Sequence, residues 1–134
     1  MVEFALVLPL LLLLAFGIIE FGLLLYDKAI VTNASREGAR AGVVFRADSS
    51  GNYFPFTGGE ITTVVNNYAS TYLVTFGPGT LTTTPTPCAS RGSNLTVTVS
   101  YPYTYLVFSN LANLIGSGFP GTTTLSAQTQ MRCE

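Results

Sequence analysis

The stretch FALVLPLLLLLAFGII at residues 4–19, continued by EFGLLLY at residues 20–26, decides the fold of this chain. No charge occurs between Glu3 and Glu20. As a helix, residues 4–25 would be roughly 33 Å long, enough to cross the hydrocarbon core of a bilayer. A domain of 134 residues has no room to bury such a helix. The stretch therefore predicts a helix that lies in lipid or inside an assembly, with an unusual carboxylate near each end.

The rest of the composition agrees with a single anchored unit. The formal net charge is -1, and no basic patch points to a nucleic-acid partner. Histidine is absent, and the acids are too scattered along the sequence to form a site, so we expect no enzyme activity, no cofactor and no metal. Beyond residue 46 the chain is rich in Thr, Ser, Asn, Gly and Tyr but nearly uncharged. Such a surface is typical of secreted or surface-displayed proteins.

A cleavable secretory signal is the alternative interpretation of the N-terminal stretch. It fits poorly, because Lys and Arg are absent before the apolar run, the run is long, and no A-x-A-type site follows it. The helical pattern also continues past Tyr26. We therefore expect a retained helix over about residues 3–44, in which Pro9 only kinks the first turns.

The second half of this helix is amphipathic and carries small residues at regular spacing. Ala34, Gly38 and Gly42 recur every four residues. Residues of this size allow close packing of another backbone, as between paired membrane helices. They could equally form a face packed under the chain's own sheet, and the sequence leaves both interpretations open.

The remaining pattern predicts an α+β fold, in which a small C-terminal domain has a short helix and an antiparallel sheet. Residues 46–59 resemble a loop, and residues 59–73 a helix. The apolar face of that helix is predicted to comprise Ile61, Val64, Val65, Tyr68 and Tyr72. Strands are expected at 81–88, where two prolines require an edge position, at 94–101, and at 122–133, where Leu125, Ala127, Thr129 and Met131 share a face. Residues 104–116 suit a short helix or an apolar loop. We divide the chain into a helix at 1–45 and a head domain at 46–134.

The N-terminal motifs resemble those of the TadE-like family, pilin-like proteins of tight-adherence, type IV-related pilus systems. The resemblance lies in VEFALVLP, FGIIEFG and REGARA within about the first forty-five residues. It implies a leader cleaved by a prepilin peptidase, extraction from the inner membrane, and a role in filament structure or assembly. Type IV pilins carry an acid at the fifth mature position. Glu3 would take that place if two residues preceded Met1.

The carboxylate of Glu3 poses a physical problem of its own. A lone ionised carboxylate in an apolar bundle must be paired or protonated. The first basic side chain, Lys28, is about 37 Å away along a helix. An α-amino group, its own or that of a neighbouring copy, is the nearest cation at that depth. We expect Glu3 to set the register of subunit addition; a carboxylate in the headgroup layer is the alternative.

Glu20 has two interpretations as well. It could make a second contact between subunits, with Lys28 or Arg36 of an adjacent helix as its partner. It could instead be solvated at the membrane interface. The full set of expected subunit-interface residues is Glu3, Phe4, Pro9, Phe16, Gly17, Glu20, Phe21, Gly22 and Lys28.

Cys88 and Cys133 enclose 44 residues, and in a chain that has the character of an exported protein they predict one disulfide. Zinc or a catalytic thiol is disfavoured, because there is no histidine and no C-x-x-C pair. Asn94 begins an N-x-T triplet and is a possible glycosylation site.

Two function classes follow from this sequence. The first is a structural pilin that polymerises into an extracellular filament, with an inner-membrane pool before assembly and with the assembly machinery as partner. The second is a membrane-retained pseudopilin that primes or regulates assembly of another pilin. A weakly charged head domain with a disulfide favours the first.

Overall fold

The computed structural model describes residues 2–114, 116 and 118–134, with the backbone alone for Val2, Glu3, Ala112 and Leu114. Three helices and five strands occur in this part of the chain. In order they are α1 (Val2–Gly42), β1 (Arg46–Ala47), β2 (Tyr53–Phe54), α2 (Gly58–Tyr72), β3 (Thr82–Thr86), β4 (Asn94–Thr104), α3 (Phe108–Leu114) and β5 (Thr122–Arg132). The long apolar helix followed by a small domain with a short helix and an antiparallel sheet confirms the predicted α+β class.

Helix α1 runs for 41 residues, with Pro9 inside it. Good helix formers, chiefly Leu and Ala, surround the proline, and the loss of one backbone donor near the start of a long helix does not end it. The helix stops at Gly42, close to the predicted end. Residues 31–42 then pack against the rest of the chain.

Helix α2 begins with a capping box at Thr57. The Thr57 side chain accepts a hydrogen bond from the backbone of Glu60, whose carboxylate accepts one from the backbone N–H of Thr57 at 2.8 Å. Ile61, Val65 and Ala69 form its buried face. The predicted placement of Tyr72 on this face is wrong. As the last residue of the helix it lies past the core, half exposed, with its ring centroid 5.3 Å from that of Tyr68.

The main sheet has the order β3-β4-β5, with both pairs antiparallel. Strand β3 lies at an edge as predicted, and Pro85 pairs there with Val97. From Leu95 onward, strand β4 alternates between buried and half-buried residues. On β5, the predicted face is the more buried one, with Leu125 deepest. Alternation of apolar and polar residues thus specified which face of β4 and of β5 meets the helices.

The core lies between this sheet and the two packed helices, α2 and the later turns of α1. Val31, Ala34 and Ala39 of α1 belong to the same buried cluster as residues of α2 and of the sheet. The predicted division at residue 45 stays a prediction, although this packing runs across it. A Cβ at Gly38 would overlap Val65 Cγ2, and one at Gly42 would lie 2.5 Å from Leu95 Cδ1. The small residues therefore allow α1 to pack on its own α2 and sheet, the second of the two interpretations.

The segment 46–59 is more ordered than a loop. Arg46 pairs with Phe54 and Ala47 with Tyr53 in a small antiparallel hairpin. Two-residue strands are too short to leave an alternating pattern in the sequence, so the prediction of a plain loop was wrong. Gly51, with φ of 82°, sits in the turn of this hairpin, where a left-handed backbone favours glycine.

Candidate membrane and assembly surface

We call residues 4–25 of α1 the apolar segment. Phe4 is 73% exposed and Leu6 76% exposed, since the head domain covers little of this part of the helix. The large apolar side chains that remain more than a third exposed are Phe4, Leu6, Val7, Leu8, Leu10, Leu11, Leu12, Leu13, Leu14, Phe16, Ile18, Ile19, Phe21 and Leu25. Helix α1 is also long and apolar enough to cross a membrane. A helix that is apolar on every side must lie in lipid or among other apolar helices.

Most of the predicted subunit-interface residues on the apolar segment are exposed, whereas the side chain of Glu3 is not described. Phe4, Phe16 and Phe21 are exposed on the apolar segment. Glycines at 17 and 22 have open space where a Cβ would stand, so another helix or a lipid chain could approach closely there. Pro9 is exposed within the helix. The side chain of Glu3 lies outside the described residues, and its role as a register residue stays a prediction.

Glu20 makes a contact that neither interpretation of it included. Its side chain is buried, although it sits on an otherwise exposed stretch of helix. Oε2 accepts a hydrogen bond from the backbone N–H of Phe108 at 2.8 Å, and Oε1 accepts bonds from the N–H groups of Leu106 and Val107. The carboxylate thus satisfies free donors at the start of α3, within its own chain. The prediction of an interfacially solvated Glu20 was wrong, and contact with another subunit stays untested.

The sequence gives one indication of the contact between Glu20 and α3, which is the lack of a capping residue at the start of α3. The residues just before α3, Leu106 and Val107, are not of the types that cap helices. A helix without its own cap needs an acceptor from elsewhere. Nothing local shows that the acceptor is 88 residues away from Phe108.

Three further contacts fix α1 to the head domain near Glu20. The hydroxyl of Tyr103 donates to the carbonyl of Glu20 at 3.4 Å. Asp27, fully buried, accepts a hydrogen bond from the backbone N–H of Val74 at 3.0 Å. The ammonium group of Lys28 donates to the carbonyl of Ser126 on β5. Lys28, predicted to face another subunit, is therefore engaged within its own chain.

Cys88 and Cys133 form the predicted disulfide, with their Cα atoms 6.0 Å apart. Both residues are buried at the end of the sheet that is remote from Glu20. The bond ties the segment after β3 to the end of β5. Asn94, the possible glycosylation site, is exposed at the first position of β4. Within the described ranges, no group of three or more potential metal ligands occurs.

Together, these observations describe a chain with an exposed N-terminal apolar helix and a disulfide-bonded α+β head. The model of a family described as TadE-like protein matches residues 1–40, which confirms the resemblance seen in the N-terminal motifs. The match indicates a pilin-like protein associated with a Tad pilus and its machinery. It spans the apolar segment and most of the α1 turns that pack on the head domain. No curated protein and no solved structure matches the chain.

Proposed function

We propose that this chain is a structural pilin subunit, which polymerises through the apolar segment into an extracellular Tad-like filament. The observation that carries the proposal is the exposure of most of the large apolar side chains in that segment, from Phe4 to Leu25. In a protein that only stays anchored in the membrane, lipid would cover the exposed apolar side chains throughout. A filament subunit needs these side chains again after extraction, because they must then lie against copies of the chain.

The energetics support packing among like helices. Removal of apolar surface from water contributes about 25 cal/mol per Å², so the exposed side chains of the apolar segment correspond to tens of kcal/mol gross per subunit. Transfer from lipid contributes far less, because acyl chains are as apolar as leucine. Extraction from the inner membrane therefore has to be driven by close packing, charge pairing and an external motor.

The proposal assigns the partners accordingly. The chain would associate with other copies of itself in a helical homopolymer, after processing by a prepilin peptidase and with the help of the pilus assembly machinery. The protein would act as a structural element and not as an enzyme. The head domain would lie on the outside of the filament, where a weakly charged surface and a buried disulfide suit display.

A filament-labelling experiment tests this proposal. Both native cysteines are bonded to each other, so Thr63→Cys, at an exposed position of α2, would add one free thiol. Sheared surface filaments would be labelled with a maleimide probe and viewed by electron microscopy, with the unsubstituted chain as control. Mass spectrometry would identify the dominant subunit in the same filaments.

We expect continuous label along the filaments and this chain as their main component. Sparse label on filaments built mainly from another subunit would contradict the proposal. That result would support the second function class, a membrane-retained pseudopilin that primes or regulates assembly.

A further inference from the structure

The head domain has one end that is tied to α1 next to the apolar segment. We call it the proximal end, formed by the described residues 73–81, 105–114, 116 and 118–121. Phe108 bonds through its backbone to the carboxylate of Glu20, and Val74 bonds in the same way to that of Asp27. A Cβ at Gly79 would lie 2.6 Å from the carbonyl oxygen of Pro102, so the two segments lie at the same end of the sheet.

The proximal end carries no charge of its own. No charged residue occurs between Glu60 and Arg91, or between Arg91 and Arg132. The head's charged residues occur on the later turns of α1, around the start of α2 and next to the disulfide. They are Arg36, Glu37, Arg40, Arg46, Asp48, Glu60, Arg91, Arg132 and Glu134. Two further charges of α1, Asp27 and Lys28, lie nearer the proximal end, where each is engaged by a hydrogen bond to the head domain.

Exposed aromatic rings at the two ends differ in whether a cation lies over them. At the remote end, Arg91 lies 4.8 Å from the ring centroid of Tyr53, and Arg46 lies 5.1 Å from that of Phe54. At the proximal end, the exposed side chains have no such cation over them within the described part of the chain. These side chains, Phe76, Leu106 and Phe108, are each 41–45% exposed. We call them the apolar rim.

The rim lies close to the depth where the apolar segment would leave a bilayer. Glu20 is sixteen residues beyond Phe4, about 24 Å along the helix, which is about 6 Å short of the far side of a hydrocarbon core of about 30 Å. Helix α3 lies against one side of α1 at the turn that contains Glu20. Lipid around the apolar segment would therefore contact α3 on that side. A groove of about 370 Å³ opens between α1 and α3, lined chiefly by Phe21, Leu24, Tyr105, Phe108 and Phe119.

We propose that the apolar rim is a second membrane contact, which rests on the bilayer surface while lipid acyl chains enter the groove beside α1. Lipid fits better than a second copy, because the rim is continuous with a segment that lies in lipid before assembly. Glu20 is then a positioning residue that holds α3 at the depth of the interface. This inference rests on the membrane-anchored state within the proposed function and does not require polymerisation.

Lipid quenching of a single tryptophan tests this inference, because the native chain contains no Trp. Leu106→Trp and Phe76→Trp would each report on the rim, and Tyr53→Trp, at an exposed position of the remote end, is the matched control. Phe21→Trp in the apolar segment would show that the helix has inserted. Each full-length variant would be reconstituted in phosphatidylcholine vesicles in which part of the lipid carries bromine high on the acyl chain.

We expect both rim variants to be quenched several-fold more strongly than Tyr53→Trp. Quenching of Phe21→Trp without quenching of either rim variant would overturn the inference while leaving the membrane anchor, and with it the proposed function, intact. Rim tryptophans that became shielded from lipid as the protein-to-lipid ratio rose would also overturn it. They would assign the rim to contacts between copies of the chain.

Discussion

The two halves of α1 belong to one continuous helix yet meet opposite environments. In the apolar segment, nearly every large side chain is exposed, and glycines at 17 and 22 have empty space beside them. In the later turns, Val31, Ala34 and Ala39 are fully buried against α2 and the sheet. The first half has large apolar residues on every side, whereas the second has small residues on one side and charges on the other.

This contrast shows that the head domain covers the part of the helix in which Ala34, Gly38 and Gly42 provide a face of small residues. A second backbone can pack closely only where side chains are small. Large side chains all around the helix leave a surface too broad for one small domain, which then requires lipid or other copies. The following predictions test this division from the largest expected effect to the smallest.

The largest effect is expected for the acid in the first half. Glu3→Ala should leave the chain in the membrane, since the apolar segment is intact and the start of the helix becomes more lipophilic. It should sharply reduce incorporation into filaments, because the predicted pairing with a neighbour's amino group is lost. Glu37→Ala, the same change at an exposed position of the second half, is the control and should assemble normally. Filament yield measured by shearing would separate the two, and a normal yield from Glu3→Ala would show that this carboxylate does not set the register.

Removal of the disulfide should affect the head domain only. In Cys88→Ala/Cys133→Ala, the closed loop with a sequence separation of 45 is lost, which should lower the free energy of unfolding by roughly 3 to 4 kcal/mol. Urea unfolding followed by circular dichroism in detergent would measure this. Membrane extraction behaviour should stay unchanged, because the bond lies far from the apolar segment. An unchanged unfolding midpoint would contradict a stabilising role for the bond.

Glycine-to-alanine changes in the two halves should have opposite signs. Gly38→Ala places a methyl group against Val65 Cγ2, a stiff β-branched neighbour in the core, and should destabilise the head domain by about 1–3 kcal/mol. Gly22→Ala meets open space and should be neutral or stabilise the helix by up to about 1 kcal/mol. Urea unfolding of both variants under the same conditions would check the signs. Equal effects would mean that the two halves do not differ in packing.

The smallest effect concerns acid stability, to which the capping box of the head domain contributes. The backbone N–H of Thr57, together with the Arg46 guanidinium and the Thr57 hydroxyl, lowers the pKa of Glu60 from 4.5 to about 2. Because the folded state favours the ionised form, the stabilisation is complete above about pH 4.5 and is lost as the pH falls towards 2. Glu60→Gln should flatten this dependence in acid titrations of stability, and identical curves for both proteins would refute it.

Local patterns in the sequence predicted most of the fold. The apolar run gave α1, the alternation in NLTVTVSY gave β4, and the two prolines placed β3 at an edge. What the sequence did not reveal depends on contacts between distant residues. Glu20 reaches α3 across 88 residues, and a two-residue strand such as Arg46–Ala47 carries no period to detect. For the candidate surface, the exposed apolar residues were predictable, whereas the rim required knowledge of which segments meet α1 at Glu20.

A fragment of residues 27–134 tests the central claim most directly. It keeps the buried α1 residues of the core and removes the apolar segment, together with the Glu20 contact to α3. Sedimentation velocity, with the full-length chain after detergent removal as control, would report its assembly state. We predict a soluble monomer with mixed helix and strand by circular dichroism, while the full-length chain associates. Filaments of native diameter formed by the fragment alone would place the assembly interface in the head domain and contradict this account.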